Sequence, residues 1–136
     1  MLNQYTQRTV PGYVDVLVSA ITGATVTVNY QSATRQGEYW RRELAVDNAA
    51  DALWLPLTNY AAWPQGGTGD FVTNTTGNAY VPKTPEAFSH DADGNLTNDG
   101  RWAYVWNGEN RLLSMTGPAT APNGSRKALH FDYDPP

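Results

Sequence analysis

Phe88-Ser89-His90-Asp91-Ala92-Asp93-Gly94-Asn95-Leu96 is followed, 16 residues later, by Tyr104-Val105-Trp106-Asn107-Gly108-Glu109-Asn110-Arg111-Leu112. Both stretches read as a ring, a spacer, a second ring, Asp or Asn, two spacers, Gly or Asn, a polar residue and Leu. His90 stands where the second stretch has Trp106, and Gly94 where it has Asn110. A third start, Phe131-Asp132-Tyr133-Asp134, lies at the end of the chain. Side chains alternate along a strand, so the two rings of each unit fall on one face. The Asp or Asn that follows accepts hydrogen bonds from amides two residues on, which closes a turn. Asp93-Gly94, Asp99-Gly100, Asn107-Gly108 and Asn123-Gly124 admit positive φ and favour tight hairpins. Leu96 and Leu112 then return to the apolar face. Such a hairpin buries little by itself and needs neighbours over its aromatic face. The spacing predicts tandem β-hairpins.

The rest of the 136 residues supports an all-β class. Thr (15) and aromatic residues suit a pleated surface, while Asn (11), Gly (12) and Pro (9) supply turns. No long segment carries apolar residues at helical spacing. Thr25-Val26-Thr27-Val28-Asn29-Tyr30 alternates cleanly, with Val26, Val28 and Tyr30 expected on one face. In Tyr39-Trp40-Arg41-Arg42-Glu43-Leu44, Trp40, Arg42 and Leu44 share a face. A short helical turn is expected around residues 48–53, and Pro64-Gln65-Gly66-Gly67-Thr68-Gly69-Asp70 reads as a long loop. Pro82-Lys83-Thr84-Pro85 has the composition of a boundary. The expected organisation is a tail of a preceding repeat in residues 1–12, a small immunoglobulin-like or irregular β-module in 13–81, and repeat hairpins in 82–136, the last truncated. Leu2-Asn3-Gln4-Tyr5 resembles the end of a repeat unit.

Charge and composition exclude several classes. The net charge is −4 and the nine Lys and Arg form no basic stripe, so no nucleic-acid partner is expected. With no cysteine there are no disulfides, thiol nucleophiles or thiolate metal sites. No apolar run approaches the roughly 20 residues of a membrane span. Met1 to Gln7 lack the apolar core of a signal peptide.

Candidate chemistry is sparse. Asp91, Asp93, Asn95 and Asp99 form the densest acidic cluster, but counting an EF-hand from Asp91 puts Leu96 where Gly is required and Trp102 where Glu is required. The two histidines, His90 and His130, lack metal-ligand spacing, so neither a metal nor a cofactor is expected. Glu38 and Glu43 would point to opposite faces of one strand, which does not suit a glycosidase pair. Catalytic residues are therefore expected to be none, and the chain is read as not an enzyme. Exposed indole faces stack on sugars, so Trp40, Trp54, Trp63, Trp102 and Trp106 are carbohydrate-binding candidates, weighed against roles in the core.

The segment from Phe88 to Leu112, with His90-Asp91-Ala92-Asp93-Gly94-Asn95-Leu96-Thr97, Asp99-Gly100 and Glu109-Asn110-Arg111-Leu112, resembles the YD repeat of the Rhs family, which is related to the C components of Tc toxins and to the teneurins. The resemblance covers about a third of the chain strongly. It implies a structural role, because such repeats wind into a β-sheet shell around a cargo, commonly a toxin at the C-terminal end. The repeat-defining residues it implies are Phe88, His90, Asp91, Gly94, Asn95, Leu96, Tyr104, Trp106, Asn107, Asn110, Arg111, Leu112, Phe131, Tyr133 and Asp134. Expected partners are neighbouring YD repeats and an encapsulated toxin. Self-association through open strand edges is a further expectation. A bacterial, secreted or cell-surface location follows from the same resemblance. The competing reading is a carbohydrate-binding β-domain that presents its Trp and Tyr rings to glycans.

Overall fold

The computed structural model describes residues 4–67 and 69–134, and its paired strands are antiparallel. Among those residues there is no α-helix, only one 3₁₀ turn at Asn123–Ser125. The protein is all-β. It divides into two units, a middle one formed by Gly12–Asp47 and Leu55–Ala79, and an outer one that takes the flanking chain together with Asn48–Trp54.

After the short strand β1 (Gln7–Arg8), the middle unit begins with β2 (Tyr13–Ser19), β3 (Thr25–Val28), β4 (Gln31–Ser32), β5 (Thr34–Gln36) and β6 (Tyr39–Ala45). The long strands β7 (Leu53–Pro64) and β8 (Asp70–Val81) follow, and their residues 53–54 and 80–81 count with the outer unit. One sheet has the order β2-β6-β5 and the other β4-β3-β7-β8. Strand β2 shows period-2 burial, with Val14, Val16 and Val18 turned inward. They meet Leu44 of β6, Val28 of β3, and Leu55 and Leu57 of β7 in a single apolar cluster. Val26 and Val28 are almost completely buried, and burying each such side chain contributes about 1.5–3 kcal/mol.

The β3–β4 connection differs from the alternation read in 25–30. The strand stops at Val28, and Asn29 and Tyr30 turn the chain at φ 47° and 63°. That is the two-residue hairpin geometry whose twist matches the flanking strands. Asn29 accounts for the change. Its amide donates to the Thr58 carbonyl (2.8 Å), its Nδ2 donates to the Pro56 carbonyl (2.9 Å) and its Oδ1 accepts from the Thr58 amide (2.8 Å). Tied to β7 at three points, Asn29 leaves Tyr30 at the tip, 81% exposed.

The outer unit contains β9 (Glu86–Ala87), β10 (Ser89–His90), β11 (Leu96–Asn98), β12 (Ala103–Trp106), β13 (Leu112–Thr116) and β14 (Ala128–His130). Strand β1 pairs with β9, and the others form a sheet in simple chain order, β10 to β14. Residues 48–54, expected within the middle module, belong here for a polar reason. Asn48 is 2% exposed and its Nδ2 donates to the carbonyls of Pro82 (2.9 Å) and Pro11 (3.4 Å). The Thr84 amide donates back to the Asn48 carbonyl (3.0 Å). These bonds join the incoming and outgoing chain, and residues 49–51 form a bend where a helical turn was expected.

Candidate functional site

The hairpins of the outer unit recur in one register. Gln7 pairs with Ala87, Asn98 with Ala103 and Ser114 with His130. Ala87, Ala103 and His130 each immediately precede the first ring of a unit, Phe88, Tyr104 and Phe131. Asn98 and Ser114 each lie two residues beyond the closing Leu, at 96 and 112. The same count places Tyr5 at the closing position of the first strand. The tail therefore aligns three residues later than the Leu2 alignment, whose Leu2 and Asn3 lie outside the described residues. The Phe88 amide donates to the Thr6 carbonyl (2.9 Å), as the Phe131 amide does to Leu113 (3.0 Å). A register shift falls between Ser89 and His90 and again between Val105 and Trp106.

The two complete turns are built alike. Asp91 Oδ1 accepts from the amides of Asp93 (3.0 Å) and Asn95 (2.8 Å). Asn107 Oδ1 accepts from the amides of Glu109 (2.9 Å) and Arg111 (2.9 Å). In each turn the first amide donates to the carbonyl four residues on, Asn95 (3.0 Å) or Arg111 (2.9 Å). The fourth residue takes positive φ, 93° at Gly94 and 58° at Asn110. Asn95 Nδ2 also donates to Asp91 Oδ2 (3.1 Å). These donors hold the Asp91 carboxyl below its ordinary value, the Asn95 side chain being the largest cause.

Side-chain amides at one repeated position, just before the closing residue, reach the following turn. Gln4 Nε2 donates to the Gly94 carbonyl (3.0 Å), and Asn95 Nδ2 donates to Asn110 Oδ1 (2.8 Å). The second ring of a unit reaches back to the closing residue of the unit before it. Trp106 Nε1–H donates to the Leu96 carbonyl (2.8 Å), and Tyr133 Oη–H to the Leu112 carbonyl (2.8 Å). Arg111 pairs with Glu109 and lies over the Tyr133 ring at 5.1 Å. Asp134 is exposed at the end of the described residues.

The link between β11 and β12 is held by Asp99, in a contact to Tyr104 that the repeat pattern did not announce. Asp99 Oδ1 accepts from the amides of Arg101 (3.0 Å) and Trp102 (2.7 Å), and Oδ2 accepts from Tyr104 Oη–H (2.7 Å). Burial first, and this bond second, push the Tyr104 hydroxyl well above its ordinary value. Asp99-Gly100 was legible as a turn, but the bond to Tyr104 was not, since it needs the ring to fold back over the link. Tyr80 Oη–H donates to the Gly100 carbonyl (3.2 Å), and burial raises its titration too.

The tryptophans do not form one platform. Trp40 is 4% exposed and Arg35 covers its ring at 5.3 Å, so it is a core residue without a free face and is withdrawn as a carbohydrate candidate. Trp54 packs edge-on against Gly124, where an added Cβ would lie 2.4 Å from Cδ1. Trp102 carries Arg101 over its ring at 5.6 Å, and Trp106 spends its N–H on Leu96. Trp63 keeps a partly exposed ring in the middle unit, beside Ile21 and Phe71 in a cleft of about 120 Å³. Among the described residues, no three His, Asp or Glu side chains are placed to hold a metal ion.

No known protein family, curated protein or solved structure matches this chain significantly.

Proposed function

We propose that this chain is a non-catalytic structural segment of an Rhs-type YD-repeat β-shell, its repeats walling off a cargo such as a C-terminal toxin. The observation that supports this reading most is the recurrence of one strand register at three successive pairings, with the side-chain amides of Gln4 and Asn95 reaching the two complete turns. In such an array each unit contacts only its neighbours, and stability grows by nearest-neighbour increments. The partners of the segment are further YD repeats of the same or a longer chain, in a bacterial secreted or cell-surface protein. Open strand edges at either end of the sheet favour pairing with those repeats or self-association.

The reading is tested by joining a second copy of residues 108–116 after Asp134, which supplies a complete turn and return strand. The thermal midpoint rises relative to an extension of the same composition in scrambled order. Equal midpoints for the two extensions would sink the shell reading. The carbohydrate reading retains one supporting observation, the part-exposed Trp63 beside the exposed Phe71 and Ile21. Glycan-array binding that disappears in Trp63→Ala would move the assignment to that cleft.

A further inference from the structure

The hairpins contain one unit that breaks their own rule. In the second and third units the second ring is large and carries a donor, Trp106 or Tyr133, and it reaches the carbonyl of the preceding closing residue. In the first unit the same position holds His90, and the register puts Tyr5 where the later units have Leu96 and Leu112. An imidazole is smaller than an indole or a phenol. At this place the surface opens into a groove of about 600 Å³ lined by Gln4, Tyr5, Arg8, Phe88 and His90. Its walls are aromatic and cationic. Tyr5 is 80% exposed, and the Arg8 guanidinium lies over the Phe88 ring at 5.8 Å while pairing with the buried Glu86.

We infer that this groove is a binding site for a planar aromatic ring bearing an N–H or O–H donor, an indole or a phenol, either free or as a Trp or Tyr side chain of a peptide. The ring takes the place that Trp106 and Tyr133 occupy in the later units. It stacks against the exposed Tyr5 ring, beside the Arg8 guanidinium that lies over Phe88, and donates to the Tyr5 carbonyl. The position differs from the later units by a single exchange, a small ring where they have a large one. The inference rests on the hairpin geometry and not on the shell reading, so it stands or falls separately.

The test is a titration of the 136-residue protein with indole, 1-methylindole and N-acetyl-tryptophanamide, followed by ¹H–¹⁵N spectra. Indole shifts the amides of Tyr5, Arg8, Phe88 and His90. The methylated ring, which lacks the donor, binds about tenfold more weakly. Tighter binding of the amide than of indole assigns the ring to a peptide side chain, and the reverse assigns it to a free small molecule. His90→Trp fills the groove from within, abolishes indole binding and raises the thermal midpoint. Should that variant not fold, Tyr5→Ala, at an exposed position, weakens indole binding in a folded protein. Equal affinity for indole and 1-methylindole, undiminished binding in His90→Trp or Tyr5→Ala, or no shifts at millimolar indole would overturn the proposal.

Discussion

The hairpins 88–96 and 104–112 differ at nearly every position, yet they adopt the same turn. Asp91 and Asn107 differ in charge, Gly94 and Asn110 in whether they carry a Cβ, and Asn95 and Arg111 in size and charge. Shared between them are a side-chain oxygen that accepts from two amides and a residue that tolerates positive φ. The turn is therefore specified by two local requirements, one acceptor and one left-handed residue, and the other side chains are free to serve contacts between units. The connections after the turns differ in a complementary way. Residues 99–102 cross tightly under Asp99, while residues 117–127 form a longer excursion that carries the 3₁₀ turn and packs on Trp54.

That contrast predicts where the molecule is brittle. Gly124→Ala forces a Cβ into the Trp54 ring and, by overpacking, costs about 1–3 kcal/mol. Gly100→Ala in the tight link meets open space and costs only the strain of its positive φ. Urea denaturation of the two variants checks the order, and the reverse order would show that the long excursion yields to the ring.

A smaller effect separates the turns themselves. Gly94→Val places a β-branched residue at φ 93° and costs about 1–2 kcal/mol. Gly94→Asn imports the residue that the second turn already uses and costs well under 1 kcal/mol, because Asn tolerates this region. Equal losses by thermal denaturation would mean that the two turns are not equivalent.

The smallest effect is one of pH. The Asp91 carboxyl titrates below its ordinary value of 3.8 because the folded turn donates to its charged form. A carboxylate depressed in the folded state stabilises at pH above its unfolded value, and that contribution is lost as pH falls through the lowered folded value. Acid therefore loosens the first turn while the amide of Asn107 keeps the second closed. The amides of Asp93 and Asn95 move in this range, and Asp91→Asn abolishes the part of that movement due to Asp91. An unchanged titration in Asp91→Asn would contradict the assignment.

The all-β class was legible because turn residues and alternation are local signals, and the Asx turns at 91 and 107 were legible for the same reason. Asn29 shows the limit. Its neighbours alternate as a strand, but bonds to Pro56 and Thr58 across the sheet convert it and Tyr30 into a turn. Asn48 and Trp54 read as part of the middle module because nothing in their own sequence announces Pro11, Pro82 or Gly124 as partners. Trp40 reads as a candidate platform in sequence because exposure is set by what covers the ring, here Arg35, and not by the strand it occupies. The side-chain ladder from Gln4 to Gly94 and from Asn95 to Asn110 was hidden for the same reason, since it exists only once the hairpins lie side by side.

The most direct test of the account is a set of cross-strand nuclear Overhauser contacts measured on the 136-residue protein. The shared register predicts contacts of the same pairing type between Gln7 and Ala87, Asn98 and Ala103, and Ser114 and His130. A slip of one residue at any of the three would turn that strand's side chains to the opposite face and contradict the claim that the hairpins are successive copies of one unit.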